Sequence, residues 1–309
     1  MPGPESAKTL IVIVGPTAVG KTAMAIAVAK ALDTVVVSAD SRQFYREMSI
    51  GTAKPSVAEL AAVPHYFVDT LSIHDDYSAG DYEQDALSLL GTLFAQRDQV
   101  VLVGGSGLFV EAVCVGLDQL PKPRPGIRDR LNAWHEELGL EPLQERLREV
   151  DPAYYAEVDI HNSQRVIRAL EVYESTGKPF SSFRRGASAS RPFRTVFIGL
   201  NTERSVVYDR INVRVDQMME NGLLDEAKAL YPFRHRPPLL TVGYTELFDY
   251  FDGKTSLETA VDRIKQNTRR FAKRQLTWFR RRENTKWFEP DDTGAILAYI
   301  SEQRHDPAG

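Results

Sequence analysis

Cysteine is nearly absent: the 309-residue chain has one, Cys114. A disulfide within the chain and a structural zinc site of thiolates are therefore excluded. Cys114 follows an apolar stretch and is expected to be a packed core thiol, not a reactive one. His74, His135, His161 and His235 share no metal-ligand spacing. Long apolar runs are missing too. None approaches the ~18 residues of a membrane span. The first run, Leu10–Val14, stops at Gly15-Pro16, too short for a secretory signal. A soluble, cytoplasmic protein without a membrane partner is expected. An excess of positive charge is also lacking. The net charge is −4, so nucleic acid would have to be held by a local patch. There is no internal repeat, and no low-complexity segment beyond a short "GASAS" loop.

What is present is a core-forming composition, 43% hydrophobic and 26% charged, over a length that suits one large domain or two smaller ones. Runs rich in valine and isoleucine recur: Leu10–Val14, Thr34–Ala39, Val100–Val103 and Val196–Leu200. They lack clean alternation, as strands buried on both faces do. Helical patterns such as Ala23–Ala31 and Tyr82–Arg97 separate them. The alternation predicts an α/β fold with a doubly wound parallel sheet, whose ligands sit at the carboxyl ends of the strands.

Between about residues 118 and 195 strand signals vanish. Helical periodicity takes over in Arg128–Leu138, Leu143–Val150 and Asn162–Thr176. This predicts a helical insertion domain over 118–195, flanked by a core of 1–117 and 196–309. Beyond it, Arg204–Leu230 reads as one long helix starting near Thr202, and Leu257–Arg282 as another.

The stretch "GPTAVGKT" matches G-x-x-x-x-G-K-[ST], the P-loop pattern, between a strand and an alanine-rich helix. Backbone N–H groups of Gly15, Pro16, Thr17, Ala18, Val19 and Gly20 (proline excepted) would cradle phosphate. Lys21 would neutralise charge, and the Thr22 hydroxyl would reach Mg²⁺. A nucleotide hydrolase of this kind needs a second strand ending in a metal-directed aspartate. Here "QVVLVGGSG" ends in glycines, and the acid is Asp40, after "TVVVSA". Asp40 could orient the metal, act as a base, or cap a helix. The pattern leaves a small kinase or another phosphate-handling transferase.

The following residues are more specific. "DSRQFYREMSIGTAKP" and then "VPHY" resemble the tRNA dimethylallyltransferase (isopentenyltransferase) family, whose pattern is D-S-x-Q-x-Y-R-x-M-x-I-G-T-A-K-P and then V-P-H-H. Tyr66 departs from the second histidine. "YSAGDYEQDA", "VGGSGLFVEAV", "HNSQRVIRALEVYESTGKPFS", "YDRINVRVDQMMENGLLDEAKAL", "TVGYTEL" and "KRQLTWFR" fit in order, covering roughly residues 8 to 290. Ser106 replaces a usual threonine. The two-histidine, two-cysteine extension of some eukaryotic members is absent, so a bacterial type is expected.

The resemblance implies transfer of a dimethylallyl group from dimethylallyl diphosphate to N6 of the adenosine 3′ to the tRNA anticodon, with diphosphate released. It makes Asp40 the base and Arg214 a diphosphate contact. It places Asp40, Ser41, Arg42, Gln43, Ser106 and Arg128 near the target nucleotide. Gln164, Arg165, Val166, Ile167 and Arg168 fall on the anticodon stem-loop. A monomer is expected. For Arg210, one turn before Arg214, a solvated face and a functional one stay equally open. His65 is expected to be structural.

Local basic runs suit a polynucleotide: ten Lys or Arg from Val261 to Phe288 against Asp262 and Glu283, and five without an acid from Lys178 to Arg194. The alternatives are an adenylate isopentenyltransferase acting on free AMP, ADP or ATP, a P-loop kinase, and a tRNA-binding module with a degenerate site. The helical insertion and the basic C-terminal region argue against the first, because a free nucleotide needs neither.

Overall fold

The computed structural model describes residues 8–118, 120–184 and 190–305. The chain divides into two compact units, Met1–Val115 with Ser190–Gly309, and Gly116–Ala189. Residues 190–195, expected in the insertion, belong to the first unit. Most of the "GASAS" loop and Arg185 lie outside the described residues.

The first unit is built on six parallel strands: β1 (Thr9–Val14), β2 (Val36–Ser38), β3 (His65–Tyr66), β4 (Gln99–Gly104), β5 (Arg194–Leu200) and β6 (Lys286–Phe288). Their order is β3-β2-β4-β1-β5-β6. β1 therefore lies between β4 and β5, with Val14 opposite Gly104 on one side and Gly199 on the other. The chain moves to one side of β1 first and to the other afterwards. That makes the carboxyl end of β1 the switch point where such sheets bind ligands.

β1 shows why the strand runs lack alternation. Leu10, Val12 and Val14 pack into one core layer, with Tyr82, Val113 and Ile264, while Ile11 and Ile13 pack into another, with Met24, Val28 and Ile296. The helices α1 (Lys21–Ala31), α3 (Ala79–Phe94) and α4 (Gly107–Cys114) follow their strands; α2 (Val57–Ala62) is short. Cys114 is buried, and burial pushes its thiol up to about 12, so it is a core thiol.

Among the described residues of the second unit every regular element is a helix: α5 (Ile127–Leu138), α6 (Glu141–Val150), α7 (Pro152–Glu157), α8 (Ser163–Thr176) and a 3-10 turn at Phe180–Phe183. It has its own core of Leu131, Leu143, Leu147, Val166, Ile167 and Leu170.

Back in the first unit, the expected helix over 204–230 is two: α9 (Arg204–Glu220) and α10 (Leu223–Leu230), broken at Asn221-Gly222. α9 begins after Glu203, not at Thr202, and its start has no side-chain cap. α11 (Tyr244–Phe251), α12 (Leu257–Phe279) and α13 (Thr293–His305) complete the unit. β3 and β6, with two and three residues, carried no periodic signal. Among the described residues no helix is long and apolar enough to cross a membrane.

Candidate active site

The residues between β1 and α1 form a loop whose last member, Gly20, sits in the left-handed region (φ 111) as the N-cap of α1. Only glycine adopts that conformation without strain. No side chain caps α1, which leaves its first N–H groups without a side-chain partner, as an anion cradle requires.

The loop is braced from outside. The N–H of Thr17 donates to Gln275 Oε1 of α12 at 2.8 Å. Ala18 is held in the left-handed region (φ 64) and packs with Val207, Ile211 and Ala272. Arg210 Nη1 donates to the carbonyl of Val19 at 3.3 Å. Arg210, open between two readings on sequence grounds, is thus a contact to the loop.

Lys21 donates to the Pro16 carbonyl at 2.8 Å. Burial holds its pKa down to about 8; Asp40 acts against that and Arg214 adds to it. Asp40 follows β2. Burial raises its carboxyl above the usual range, while Lys21 and the Arg42 amide act against the rise. The Arg42 amide donates to Asp40 Oδ1 at 3.2 Å. Arg214, on α9, has its guanidinium pKa lowered by burial. Loop, acid and arginine, far apart in sequence, therefore share one electrostatic environment.

Beside Asp40, the N–H of Ser41 donates to Ser106 Oγ at 3.1 Å, and the two hydroxyls are 3.1 Å apart. Ser106 thus ties the end of β4 to the residue after Asp40. The loss of a methyl relative to threonine leaves this bond in place. Arg42 Nη1 reaches the Pro237 carbonyl at 3.4 Å. Gln43 Nε2 lies 3.3 Å from the Thr52 carbonyl and 3.2 Å from that of Ala53.

In the second unit, Arg128, Gln164 and Arg168 form one network. Arg128 donates to Glu171 Oε2 at 3.0 Å and to Gln164 Oε1 at 2.8 Å. Arg168 donates to the same Glu171 oxygen at 2.7 Å. The Glu171 side chain is 3% exposed, so it anchors two arginines whose outer parts face solvent. Gln164 and Arg165 are exposed. Val166 and Ile167 are not contacts: both are 0% exposed, and they pack the unit's core.

The second basic run is largely engaged within the protein. Arg184 pairs with Glu157, Arg191 with Glu83 at 2.5 Å, and Arg194 bonds the Gln303 carbonyl. In the first run Lys265 pairs with Asp216, but Arg263, Arg270, Lys273, Arg274, Arg280 and Arg281 are exposed. His65 Nδ1 lies 2.7 Å from the Val63 carbonyl, a structural contact.

Among the described residues no three His, Cys, Asp or Glu side chains cluster as metal ligands. The donor set still suits Mg²⁺, which keeps several waters and takes one or two protein oxygens plus substrate phosphates. Thr22, second residue of α1, and Asp40 are the available oxygens.

A family model described as IPP transferase matches residues 43–282. A tRNA dimethylallyltransferase from Christiangramia forsetii is 53% identical over 292 residues, covering 94% of this chain and 97% of its own length. The chain belongs to the tRNA dimethylallyltransferase family. A second member of that name, from Flavobacterium johnsoniae, is 49% identical, covering 96% of this chain and 98% of its own. A crystal structure of the tRNA isopentenylpyrophosphate transferase from Bacillus halodurans superposes with a TM-score of 0.72 at 40% identity, covering 96% and 97% of the two chains. A eukaryotic dimethylallyltransferase acting on tRNA shares the fold, with a TM-score of 0.77 at 24% identity over 96% of this chain and 77% of that one. The match to the family model starts at Gln43, after Asp40 and the phosphate loop. The near full-length relatives extend across both.

Gln275, Glu171 and Arg210 carried no assigned role in the sequence. The first two had a signal. Gln275 lies on the buried stripe of α12 with Ala260, Ile264, Ala272 and Phe279, and Glu171 on that of α8 with Ile167 and Leu170. A polar residue on an apolar stripe is either paired or costly.

Proposed function

We propose that the chain transfers the dimethylallyl group of dimethylallyl diphosphate to N6 of the adenosine 3′ to the anticodon of tRNA. One observation carries the reading: Lys21 of the phosphate loop, Asp40 and Arg214 form one charged cluster, while β4 ends in glycines without a water-activating acid.

The exocyclic amine is a weak nucleophile. Asp40 accepts its proton as the new C–N bond forms and the allylic C–O bond breaks, with the electron pair leaving on the diphosphate. The raised pKa of Asp40 makes it a better proton acceptor than an exposed aspartate. Lys21, the loop N–H groups other than that of Thr17, which Gln275 holds, and Arg214 meet the charge that builds on the leaving group, so they favour the transition state over the ground state. Mg²⁺, held through Thr22, would neutralise part of the same charge. Arg128, Gln164, Arg165 and Arg168 contact the anticodon stem-loop, and the exposed arginines and lysines of α12 contact phosphates. The target base turns out of its stack to reach Asp40. The protein acts as a cytoplasmic monomer.

The test uses purified protein, labelled dimethylallyl diphosphate, and unmodified tRNA or AMP. Label is expected on tRNA, not on AMP, and is expected to be lost with EDTA and restored by Mg²⁺. Label on AMP alone would overturn the reading. Size-exclusion chromatography with light scattering checks the monomer.

A further inference from the structure

We propose that Glu226 is a positioning residue for Gln43: it fixes the Gln43 carboxamide so that only its oxygen is presented to the target nucleotide. The proposal rests on the reading that Asp40–Gln43 meet that nucleotide.

The Glu226 carboxylate, on α10, takes four hydrogen bonds. Oε2 accepts from the N–H groups of Ser49 at 3.0 Å and Ile50 at 2.8 Å. Oε1 accepts from the N–H of Gly51 at 2.9 Å and the Tyr244 hydroxyl at 2.7 Å. Three successive amides turned toward one point form an anion nest. Here the anion is supplied by the protein itself, and it locks the loop's path. The fit has no slack: a Cβ at Gly51 would lie 2.6 Å from the Tyr244 ring.

The residues directly after this nest are the ones that hold Gln43. Ala53 is in the left-handed region (φ 48), which a non-glycine residue adopts at a cost. Its N–H bonds the Ile50 carbonyl at 3.0 Å, closing a turn that starts inside the nest. That turn aims the Thr52 and Ala53 carbonyls at Gln43 Nε2. Both partners are acceptors, so the amide has one allowed orientation, with NH₂ toward the loop. Oε1 is then the group left to meet a ligand. A lone acceptor pairs with an exocyclic amine and is repelled by a keto oxygen at the same place. Lys54 secures the far side of the loop, bonding the Tyr45 carbonyl at 2.6 Å and pairing with Asp69. Glu226 touches no substrate in this scheme. It acts through the loop on the selectivity of Gln43.

A double-mutant cycle tests it, with wild-type chain, Glu226→Gln, Gln43→Ala and the pair. The reaction is labelled dimethylallyl diphosphate with unmodified tRNA. Glu226→Gln is expected to lower kcat/KM for tRNA about tenfold, with KM for dimethylallyl diphosphate within about twofold. The double variant is expected within about twofold of Gln43→Ala alone, because Glu226 acts through Gln43. Multiplicative losses overturn the proposal and make Glu226 a general stabiliser. A Gln43→Ala variant with wild-type turnover overturns the reading of Gln43, and the proposal with it. If Glu226→Gln does not fold, Tyr244→Phe, which removes one donor of four, runs the same cycle. There a loss of about two- to fivefold, absent in the Gln43→Ala background, supports the proposal, and an equal loss in both backgrounds overturns it.

Discussion

Replacing Gln275 by leucine keeps the shape of the side chain and removes both of its hydrogen bonds. Gln275 is 6% exposed. Its Nε2 donates to the Gly105 carbonyl at 2.9 Å, and its Oε1 accepts from Thr17. The two stranded groups differ. Gly105 is buried, so its carbonyl meets no water and costs about 1–3 kcal/mol. Thr17 is half-buried on the rim of the phosphate loop, where water recovers part of the loss. The sum is about 2–3 kcal/mol, or a fall in Tm of about 5–10 °C for a unit of this size. Urea unfolding at constant m-value measures it. Thr277→Ala, exposed and two residues away, is the control and stays within about 0.5 kcal/mol of wild type. KM for dimethylallyl diphosphate also rises, because the loop loses its tie to the end of β4. A Gln275→Leu variant within about 0.5 kcal/mol of wild type would refute the reasoning, since it would mean both groups find other partners.

Asp40→Asn keeps the side-chain volume but removes the proposed proton acceptor. It should cut kcat by about 10²–10⁴-fold with tRNA affinity nearly unchanged, as measured by single-turnover labelling and filter binding. In a pH profile, the alkaline limb of kcat/KM for dimethylallyl diphosphate should fall as Lys21 loses its proton, with a midpoint near the about 8 to which burial lowers it. The acid limb should lie above the ordinary aspartate range, because burial raises Asp40, which must be ionised to act. A profile flat from pH 5 to 9 would contradict both assignments. In the helical unit, Arg168→Gln should lower the slope of log affinity for tRNA against log salt by about 0.7–0.9, one phosphate contact. Glu171→Gln keeps both arginines but releases them, so it should weaken binding about fivefold, or about 1 kcal/mol, with the slope unchanged.

The three longer strands, β1, β4 and β5, were legible because burial on both faces demands unbroken runs such as "LIVIV", and two faces of one strand do pack into separate layers; β2, only three residues, showed because it sits within the apolar run "TVVVSA". β3 and β6 were not, since two or three residues carry no period. The break in 204–230 left the apolar spacing intact on both sides, and Gly222 alone marked the stop. In the candidate site, the loop after β1 and the acid after β2 stood out because each lies in one short contiguous stretch. Gln275, Glu226 and Glu171 act on partners 258, 175–177 and 43 positions away, or across one helical turn. No local pattern encodes such pairings; only the polar residue on a buried stripe hints at them. The run from Lys178 to Arg194 shows the opposite error. A charge count cannot see Glu157 and Glu83, which hold two of its arginines.

The position of β1 also sets an order of assembly. β1 starts at Thr9 and pairs on one edge with β5, which starts at Arg194. About 185 residues, including the whole helical unit, leave the ribosome between them. At roughly 5–20 residues per second that edge stays open for about 10–40 s. An unpaired apolar edge is where nascent chains stick to one another. The phosphate loop waits longer than that edge: Gln275 follows Thr17 by 258 residues. The loop that follows β1 is thus among the later elements to be tied down, and the growing chain leaves it unbraced by Gln275 until α12 has emerged.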